Sequence, residues 1–374
     1  MKFIVSSTSL SSHLQVVSRV IASKNTIPVL DCFLFELKEN LLKITAADSE
    51  TRMNTSIEVH DVEGEGVFAI PSKNLLDSLK ELPEQPITFD IDDETLEMLI
   101  HYENGKYNFI GQNGDEYPQP KPLKDNATVI EISADNLLSG ISRSLFATAE
   151  DELRPVMNGV LFDISESDIT FVASDGHKLV RYKNFSAKGN QKAAFILPKK
   201  PANLLKTVLP KETGIVTVSF DDNNAYISME HVIITSRLIE GRYPNYNGVI
   251  PKDNPFIITV DRLLFVNALK RVVVFANPAS SLIKLQLTQN SIFITAQDID
   301  YSTSAEETVA CVYEGEEINI GFKGTYLIEI LSNIPSAEVV LQLADPSRAG
   351  LMLPAENEAE EDLLMLLMPM MLND

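Results

Sequence analysis

Apolar residues recur three and four positions apart in three widely separated stretches of the chain. They are Leu10, Leu14, Val17 and Ile21, then Leu137, Ile141 and Leu145, then Leu263, Val266, Leu269 and Val273. The spacing places each set on one stripe of a helix. Ser133 and Asp135 suit the first turn of the second helix, and Thr259 and Asp261 suit that of the third. The pattern therefore predicts three amphipathic helices.

Between these helices, apolar residues alternate with polar ones or form short runs, as they do in strands. The predicted strands are 33–37, 67–70, 87–91, 96–100, 107–110, 160–164, 215–220, 227–233, 283–287, 292–296 and 339–343. Turn residues separate them, at Asp92-Asp93, Asn104-Gly105 and Asp221 to Asn224. We therefore expect an α+β fold, in which each unit packs two helices on one face of an antiparallel sheet.

Two further signatures recur in the same order and predict a threefold repeat. A strand ending in Ala-x-Asp closes at Asp48, Asp175 and Asp298, with offsets of 127 and 123 positions. A basic helix start is followed by a proline that closes the helix. It reads Pro71-Ser72-Lys73 to Pro83, Pro198-Lys199-Lys200 to Pro210, and Phe322-Lys323-Gly324 to Pro335. The predicted domains are 1–120, 128–248 and 256–374, with linkers near 115–125 and 244–255.

Composition agrees with two or three folded domains in 374 residues, since 44% of them are hydrophobic and 22% charged. The apolar start of the chain turns polar at Ser6, unlike a signal peptide. No apolar run approaches the roughly 20 residues of a membrane span. We expect a soluble, cytoplasmic protein with no membrane association. The two cysteines, Cys32 and Cys311, are too few for a disulfide framework and are interpreted as core residues.

The charge distribution is uneven. A net charge of −22 argues against an ordinary nucleic-acid-binding protein. However, segments 8–24 and 259–276 each carry +2 and segment 198–211 carries +4, whereas the other three predicted helices are neutral and the rest of the chain carries −30. Lysine is common on surface helices, but segregation across repeats favours a functional basic surface.

Repetition suggests a geometry for that surface. Three similar units form an arc, and a homodimer could close it into a ring of six. Twelve inner helices, each about 10 Å across, would place their axes on a circle about 120 Å in circumference. After the thickness of the helices is subtracted, the lumen is about 28 Å wide, which is enough for a duplex. Lysines facing inward would meet phosphates without reading bases.

Several motifs carry a family resemblance. They are Lys24 to Leu30, Arg154 to Gly159, Ser174-Asp175-Gly176-His177-Lys178-Leu179, Leu238 to Tyr246, and Met368-Pro369-Met370-Met371-Leu372. On these residues the chain resembles, end to end, the bacterial sliding clamps, the beta subunits of DNA polymerase III. The resemblance implies three clamp domains per chain and a head-to-tail homodimer that forms a six-domain ring around duplex DNA, independent of sequence.

The resemblance also implies the partners and the sites. The partners are the catalytic subunit of DNA polymerase III, the clamp loader and other proteins with a clamp-binding motif, and the chain itself is a non-catalytic accessory subunit without cofactor or metal. The residues implied for DNA contact are Lys24, Lys73, Lys199 and Lys200. At the dimer interface, Tyr107 and Phe109 should meet Val274 and Phe275 of the other subunit, near Glu306 and Glu307. The implied partner-peptide pocket comprises Met157, Ser174, Gly176, His177, Leu179, Pro244, Val249, Met368, Pro369, Met370 and Leu372.

The apolar run Leu363 to Leu372 has two interpretations. Its methionines suit a recognition groove that adapts to varied ligands, but periodicity alone allows a plain last core strand equally well. The resemblance favours the groove. The chain departs from the family at Gly248, Ser280, Met371 and Pro155-Val156, in the acidic loop Glu356 to Asp362, and in the extension Asn373-Asp374. These departures bear on peptide preference and on part of the DNA contact.

Enzymatic chemistry finds little support. Ser174, Asp175 and His177 are near neighbours on one turn and cannot form a nucleophile–base–orienter set. The five histidines lack metal-ligand spacing, and no phosphate-cradling glycine loop occurs. Two alternatives to a clamp stay open, a carboxylate-based hydrolase and an acidic scaffold that binds only proteins.

Overall fold

The computed structural model describes residues 1–92 and 94–372. Asp93 of the predicted Asp92-Asp93 turn and the extension Asn373-Asp374 lie outside the described residues. The chain divides into two compact units. Unit 1 comprises Met1–Asp135 and Asn203–Leu238, and unit 2 comprises Asn136–Ala202 and Ile239–Asp374.

The order of elements repeats three times. The helices are α1 (Ser7–Val17), α2 (Ser72–Lys80), α3 (Ala134–Ser144), α4 (Lys199–Val208), α5 (Arg262–Val273) and α6 (Gly324–Ser332). The strands are β1 (Lys2–Ser6), β2 (Cys32–Lys38), β3 (Leu41–Ala47), β4 (Thr51–Glu58), β5 (His60–Glu63), β6 (Gly66–Pro71), β7 (Pro86–Ile91), β8 (Glu97–Tyr102), β9 (Gly105–Ile110), β10 (Gln112–Asn113), β11 (Thr128–Ser133), β12 (Gly159–Ile164), β13 (Ile169–Ser174), β14 (Lys178–Asn184), β15 (Ala193–Pro198), β16 (Ile215–Phe220), β17 (Asn224–Ser228), β18 (Val232–Arg237), β19 (Phe256–Asp261), β20 (Leu282–Thr288), β21 (Ser291–Asp298), β22 (Thr303–Ala310), β23 (Ile318–Lys323), β24 (Glu338–Leu343), β25 (Gly350–Pro354) and β26 (Glu361–Leu367). In each third of the chain one strand precedes a helix, four or five strands follow, and a second helix leads into three or four more strands. The predicted α+β fold with two helices per repeat is confirmed.

Strand pairing joins consecutive repeats within one sheet. In unit 1 a nine-stranded sheet has the order β10-β6-β2-β3-β4-β18-β17-β16-β11, and a five-stranded sheet has the order β5-β1-β7-β8-β9. In unit 2 an eight-stranded sheet has the order β15-β12-β13-β14-β26-β25-β24-β19, and a four-stranded sheet has the order β22-β21-β20-β23. The strands within each of these sheets pair antiparallel. Because β4 pairs with β18 and β14 pairs with β26, backbone hydrogen bonds continue from one repeat into the next.

The first and third opening helices differ in how well the predicted stripe holds. In α1, Leu10, Leu14 and Val17 are fully buried, whereas Ile21 lies beyond the end of the helix. In α5, the buried residues are Phe265, Val266, Ala268, Leu269 and Val272. The prediction was wrong for Leu263, which is 58% exposed, because the apolar run 263–266 allows two stripes with the same spacing.

One predicted strand is two. The segment 227–233 was expected to be continuous, but β17 ends at Ser228 and β18 begins at Val232. Between them the chain turns, and the amide of Met229 donates to the carbonyl of Val232 at 3.0 Å, an ordinary hydrogen-bond distance. The apolar residues that flank this turn concealed it in the sequence.

The aspartates of the repeated Ala-x-Asp signature lie in hairpin turns and accept backbone amides there. Asp48 Oδ1 accepts the amides of Glu50 and Thr51, and Asp175 Oδ1 accepts those of His177 and Lys178. Asp298 Oδ1 accepts one amide, two residues on. Aspartate side chains that accept an amide two residues on stabilise turns in this way. The Ala-x-Asp signature therefore marks the same hairpin in every repeat.

The predicted first linker is fastened to unit 1. Tyr117 is buried beneath the guanidinium of Arg52, which lies 5.5 Å from the ring centroid and donates to the carbonyl of Pro118. Tyr226 Oη donates to the carbonyl of Lys121 at 2.9 Å. Packing, in addition to the three prolines, therefore fixes this segment.

Two chemical features complete the description. Cys32 is buried, as predicted, and burial raises its pKa to about 11, while Cys311 is partly buried. Within residues 1–92 and 94–372, none of the helices is long and apolar enough to cross a membrane.

Candidate functional site

One face of the eight-stranded sheet in unit 2 carries an apolar cluster. Its buried members are Leu161, Val172, Leu179, Ile196, Tyr243, Ala349, Leu351, Leu364 and Leu366, and the partly buried Val156, Ile239, Tyr246, Ile250 and Leu353 pack against it. Leu179 and Leu366 are direct partners in the β14–β26 ladder. Only Leu179 among these residues was predicted for the pocket. We call these fourteen residues the apolar face.

The segment after Ile239 folds over this face. Gly241 has φ +123°, a conformation that favours glycine, and a methyl group there would stand 2.9 Å from Val156 Cγ1. Tyr246 Oη donates to Asp163 Oδ2 at 2.7 Å, and burial together with this bond raises the pKa of Tyr246. Of the predicted residues in the segment, Pro244 is exposed and Val249 is 58% exposed. The segment therefore presents apolar side chains at the margin of the face.

The turn from Ser174 to Lys178 is held from within. Ser174 Oγ accepts the amide of Gly176 at 3.1 Å and donates to the carbonyl of Lys178 at 2.8 Å. Gly176 has φ +91°, and a methyl group there would stand 2.8 Å from Arg154 Nη1. Ser174 thus shapes the turn, while His177 at its tip is exposed.

A buried cation supports this turn. Lys178 Nζ lies 3.1 Å from Asp175 Oδ2 and 3.0 Å from Glu329 Oε2, with 7% of its side chain exposed. Burial disfavours the charge, but the two carboxylates outweigh it, so the pKa of Lys178 is raised. The ammonium also lies 4.2 Å from the centroid of the Tyr326 ring. Helix α6 is thereby fixed to the turn.

Tyr326 is a residue that the sequence reasoning missed. Its ring lies 6.3 Å from that of His177, and a second ammonium, that of Lys323, lies 4.4 Å from its centroid. A single aromatic residue on a helix carries no sequence signal of this position. The ring pair adds an aromatic surface beside the predicted pocket residues.

The C-terminal apolar run divides into a strand and a tail. Leu363 to Leu367 belong to β26 and are at most 7% exposed, so the core-strand interpretation holds for them. The tail, Met368 to Leu372, leaves the strand. Its backbone donates from Met368 to the carbonyl of His177 and from Met370 to the carbonyl of Gly321, both at 2.8 Å. Met368 is 41% exposed and Met371 76% exposed. The structure thus brings the predicted tail residues to the predicted turn.

Met157 is the predicted pocket residue that fits least well. It is 6% exposed and lies in a short 3₁₀ turn, Pro155–Met157, whereas its neighbour Val156 packs on the apolar face. Val156, which belongs to the Pro155-Val156 departure from the family pattern, is therefore part of this surface.

The acidic loop 356–362 is pinned by basic and phenolic groups of unit 2. Arg143 Nη1 lies 2.7 Å from Glu361 Oε2, and Arg181 Nη2 lies 2.6 Å from Asp362 Oδ2. Tyr182 Oη donates to Glu361 at 2.5 Å, and burial and this bond raise the pKa of Tyr182. The loop is therefore a structural brace for the start of β26.

The basic residues predicted for DNA contact are accessible. In unit 1, Lys24 and Lys73 are exposed, and neither forms an ion pair with another described residue. Asp31 links their segments, since it accepts Asn25 Nδ2 at its carboxylate (2.8 Å) and Ser72 Oγ at its carbonyl (2.6 Å). Lys24 and Lys73 therefore each adjoin a residue that is hydrogen-bonded to Asp31.

The other two predicted lysines, Lys199 and Lys200, open α4 and are partly exposed. Lys199 pairs with the exposed Glu150, which lowers the pKa of that carboxyl. An exposed ion pair of this kind contributes little to stability. As bounded by the structure, α4 and α5 each contain three basic residues and no acid. The charge of the first segment lies after α1, at Arg19 and Lys24, and not within the helix.

The predicted dimer residues lie on two sheet edges. In unit 1, β9 is an edge strand that carries Tyr107 and Phe109, with ring centroids 6.3 Å apart. In unit 2, β22 is an edge strand that carries Glu306 and Glu307, and Glu307 pairs with Arg271 of α5.

Val274 and Phe275 follow α5 directly and are 75% and 41% exposed. Each chain therefore offers two different edges with apolar neighbours.

Titratable side chains do not assemble a reaction centre at these positions. Within the described part of the chain, no three His, Cys, Asp or Glu side chains are grouped so as to hold a metal ion. Asp92 and Asp221 each accept two amides in hairpin turns through one oxygen, and their pKa values are lowered. Asp92 and Asp221 therefore stabilise their hairpin turns by accepting backbone amides.

Sequence comparison covers nearly the whole chain. The model of the DNA polymerase III beta subunit N-terminal domain matches residues 1–121, that of the central domain residues 131–245, and that of the C-terminal domain residues 247–371. The beta sliding clamp of Haemophilus influenzae is 27% identical over 98% of this chain and 99% of the relative.

Solved structures agree. A DNA polymerase sliding clamp from Pseudomonas aeruginosa superimposes with a TM-score of 0.94 at 25% identity, and a sliding clamp from Bartonella birtlesii bound to griselimycin with 0.92 at 26%. Each comparison covers 100% of both chains. The chain belongs to the DNA polymerase III beta subunit family, the bacterial sliding clamps.

Proposed function

We propose that two copies of this chain close into a six-domain ring around duplex DNA and tether DNA polymerase III to its template. The chain is a replication processivity factor and a non-catalytic accessory subunit of the polymerase. One observation carries the ring: the same order of elements occurs three times, with α4 and α5 basic and free of acids. Domains at 1–120, 128–248 and 256–374 follow from that order, and the protein works in the cytoplasm.

The contact with DNA is electrostatic and independent of sequence. Lys24 and Lys73 meet phosphate on one domain, and Lys199 and Lys200 on the next. Flexible ammonium groups on an accessible surface neutralise phosphates without fixing a register, which permits sliding. The acidic remainder of the chain repels the duplex from other surfaces.

The dimer forms head to tail between unlike edges. Tyr107 and Phe109 of one subunit pack on Val274 and Phe275 of the other, near Glu306 and Glu307. Support comes from the two unpaired edge strands and from the exposed apolar residues beside them. Because the two edges differ, two copies make two identical contacts and the ring closes.

Partner proteins bind at the apolar face of unit 2 and its margin. The residues proposed to contact the peptide are Met157, Ser174, Gly176, His177, Leu179, Pro244, Val249, Met368, Pro369, Met370 and Leu372. The partners are the polymerase catalytic subunit, the clamp loader and other proteins that carry a short apolar motif. Exposed methionines beside a rigid sheet suit several such peptides.

A topological experiment tests the proposal. The protein is loaded on nicked circular DNA with a clamp loader, and the circle is then linearised. A ring should remain on the circle and leave the linear product by its ends. Retention that does not change on linearisation would contradict encirclement. An acidic protein scaffold would bind neither form.

A further inference from the structure

We propose that unit 1 holds a second peptide-binding cleft, which takes an extended segment of a partner protein with acidic side chains at positions i and i+2. The cleft has a volume of about 500 Å³, which is in the range of ligand pockets. It is lined by residues 47–52, by residues 118–122 and by side chains of the β17–β18 pair, all within unit 1. It is separate from the DNA, dimer and peptide sites proposed above.

The cleft occupies the position in unit 1 that the proposed peptide site occupies in unit 2. Strand β4 pairs with β18 as β14 pairs with β26. In unit 1 the amide of Arg237 donates to the carbonyl of Glu50 at 2.8 Å. In unit 2 the amide of Met368 donates to the carbonyl of His177 at the same distance. The backbone around the cleft therefore matches that of the proposed peptide site.

The side chains on this shared backbone differ in polarity. In unit 2 the apolar face contains the strand partners Leu179 and Leu366. The equivalent partners in unit 1 are Arg52 and Thr235. Arg237 likewise stands where unit 2 has a tail methionine. Guanidinium groups recognise carboxylates, so the cleft suits an acidic segment and not an apolar one.

Arg52 is a buried cation with unused hydrogen-bonding capacity. It is 6% exposed, and it donates to the carbonyl of Pro118 and to Gln119 Oε1. These contacts use two of the five N–H groups of a guanidinium. Among the described residues Arg52 forms no salt bridge, and Glu36, which interacts with it electrostatically, lies 2.9 Å from Lys43 Nζ. A buried cation without an anion is costly, and an incoming carboxylate would supply that anion.

The charge balance of the cleft favours an anion, although the chain as a whole carries −22. Four cations and three acids line it, which gives a net charge of +1. Two of the acids, Asp48 and Asp221, each accept two amides of their own turns. The third, Glu50, lies 3.8 Å from Arg237, and both side chains are more than half exposed, so this pair contributes little to stability.

The pairing of β4 with β18 sets the spacing of the two arginines. Arg52 lies opposite Thr235, and Arg237 is two residues further along β18. Both arginines therefore belong to one face of the sheet, as diagonal neighbours about 7–8 Å apart. Side chains i and i+2 of an extended peptide also lie on one side, about 7 Å apart. Two acids at that spacing can each meet one arginine, whereas adjacent acids point to opposite sides.

The wall of the cleft formed by residues 118–122 is held in place before any ligand binds. Tyr226 Oη donates to the carbonyl of Lys121 at 2.9 Å, and the amide of Lys124 donates to Asp221 Oδ2 at 3.1 Å. Prolines at 118, 120 and 122 restrict the backbone further. A preformed wall lowers the entropy lost when an extended peptide binds. The cleft is too small for a duplex, so its occupant is a peptide segment.

Two peptides of equal charge test the predicted spacing. Fluorescein-labelled Gly-Ser-Asp-Ala-Asp-Ser-Gly should bind the intact protein, as measured by fluorescence anisotropy. Labelled Gly-Ser-Asp-Asp-Ala-Ser-Gly should bind at least tenfold more weakly, because its two acids point to opposite sides. Equal affinity of the two peptides, or no binding of the first, would overturn the inference.

Single substitutions locate the bound peptide. Arg52→Gln and Arg237→Gln should each weaken binding of the first peptide at least tenfold. Arg348→Gln, which removes an exposed arginine of unit 2, is the matched control and should leave the affinity unchanged. The side chain of Arg237 is 57% exposed, so its replacement spares the core. An unchanged affinity in Arg237→Gln would overturn the inference even if Arg52→Gln fails to fold.

Further measurements separate this cleft from the sites proposed above. Deleting Met368 to Leu372 should spare binding of the acidic peptide, and Arg237→Gln should spare binding of the clamp-binding peptide. Loss of the acidic peptide on that deletion would place it on unit 2 and overturn the inference. A wild type that binds only the acidic peptide would contradict the proposed partner site and not the cleft. Displacement of the acidic peptide by an equal concentration of a single-stranded oligonucleotide would assign the cleft to nucleic acid and overturn the inference.

Discussion

The amide of Met370 donates to the carbonyl of Gly321 at 2.8 Å, and a methyl group at Gly321 would stand 2.7 Å from the Met370 carbonyl oxygen. The tail after β26 therefore approaches the free edge of β23 at a position where only glycine fits. The tail is held in place by this contact and by the Met368–His177 hydrogen bond.

Replacing Gly321 with alanine should push the tail away and weaken partner-peptide binding by about tenfold, or about 1.4 kcal/mol. Fluorescence anisotropy with a labelled clamp-binding peptide measures the affinity. Deleting Met368 to Leu372 should produce at least as large a loss. The alanine should then add nothing further, because the group it displaces is gone. Additive losses would place the effect of Gly321 elsewhere.

Replacing Lys178 with methionine should lower the free energy of unfolding by about 2 kcal/mol, because Asp175 and Glu329 lose their buried partner. The value is below that of a fully buried pair, since the side chain of Glu329 is 39% exposed. Because the pKa of Lys178 is raised, its stabilising charge is present at neutral pH and is lost only as pH rises through that raised value.

Urea unfolding curves of Lys178→Met measure this loss. Lys323→Met is the matched control: its ammonium also lies over Tyr326 but has no carboxylate partner among the described residues. The control should change the midpoint little. Equal losses in both variants would assign the effect to the aromatic ring and not to the carboxylates.

Replacing His13 with glutamine should make the free energy of unfolding less sensitive to acid. His13 Nδ1 lies 2.8 Å from Thr55 Oγ1, and burial, with His231 nearby, lowers its pKa. The unfolded state therefore binds the proton more readily, so the wild type loses stability as pH falls from the ordinary histidine pKa through the lowered one. Urea midpoints across that interval, for both proteins, measure the difference. Parallel pH profiles would exclude His13 as the source.

Replacing Lys24 and Lys73 with alanine should weaken association with duplex DNA and flatten its salt dependence. If each lysine neutralises one phosphate, the slope of log K against log salt should fall by about 1.8 in magnitude. Binding titrations over a salt series measure the slope. Lys38→Ala with Lys192→Ala removes two other exposed lysines and should leave it unchanged. An equal effect from the control would indicate a net-charge effect and no specific surface.

The repeat was predictable because its signals are local. A turn aspartate, a capped amphipathic helix and a closing proline each act within a few residues, and each recurs in the sequence. The joining of repeats was not predictable, because the β4–β18 and β14–β26 ladders are made by backbone groups that look alike in every strand. In the same way, the residue spacing of α5 fitted two stripes, and tertiary packing selected Val272 over Leu263.

The candidate site likewise contains residues with a local sequence signal and residues that come together only by folding. The motifs identified the turn at Ser174 and the tail at Met368, which are contiguous stretches of sequence. Tyr326 and Val156 join them only through folding, from a helix and a short turn distant in the chain. The sequence shows Lys178 only as a member of the motif at Ser174, and its two carboxylate neighbours account for its burial as a cation.

The β14–β26 ladder has a consequence for synthesis on the ribosome. Tyr182 and its partner Glu361 are 179 positions apart, so β14 emerges about 10 to 40 s before the strand that covers it, at ordinary rates of translation. During that interval the nascent chain carries an open strand edge within an apolar sheet. Neighbouring nascent chains on one messenger could pair with it, and a ribosome that stalls before β26 would release a protein whose central sheet is still unfinished.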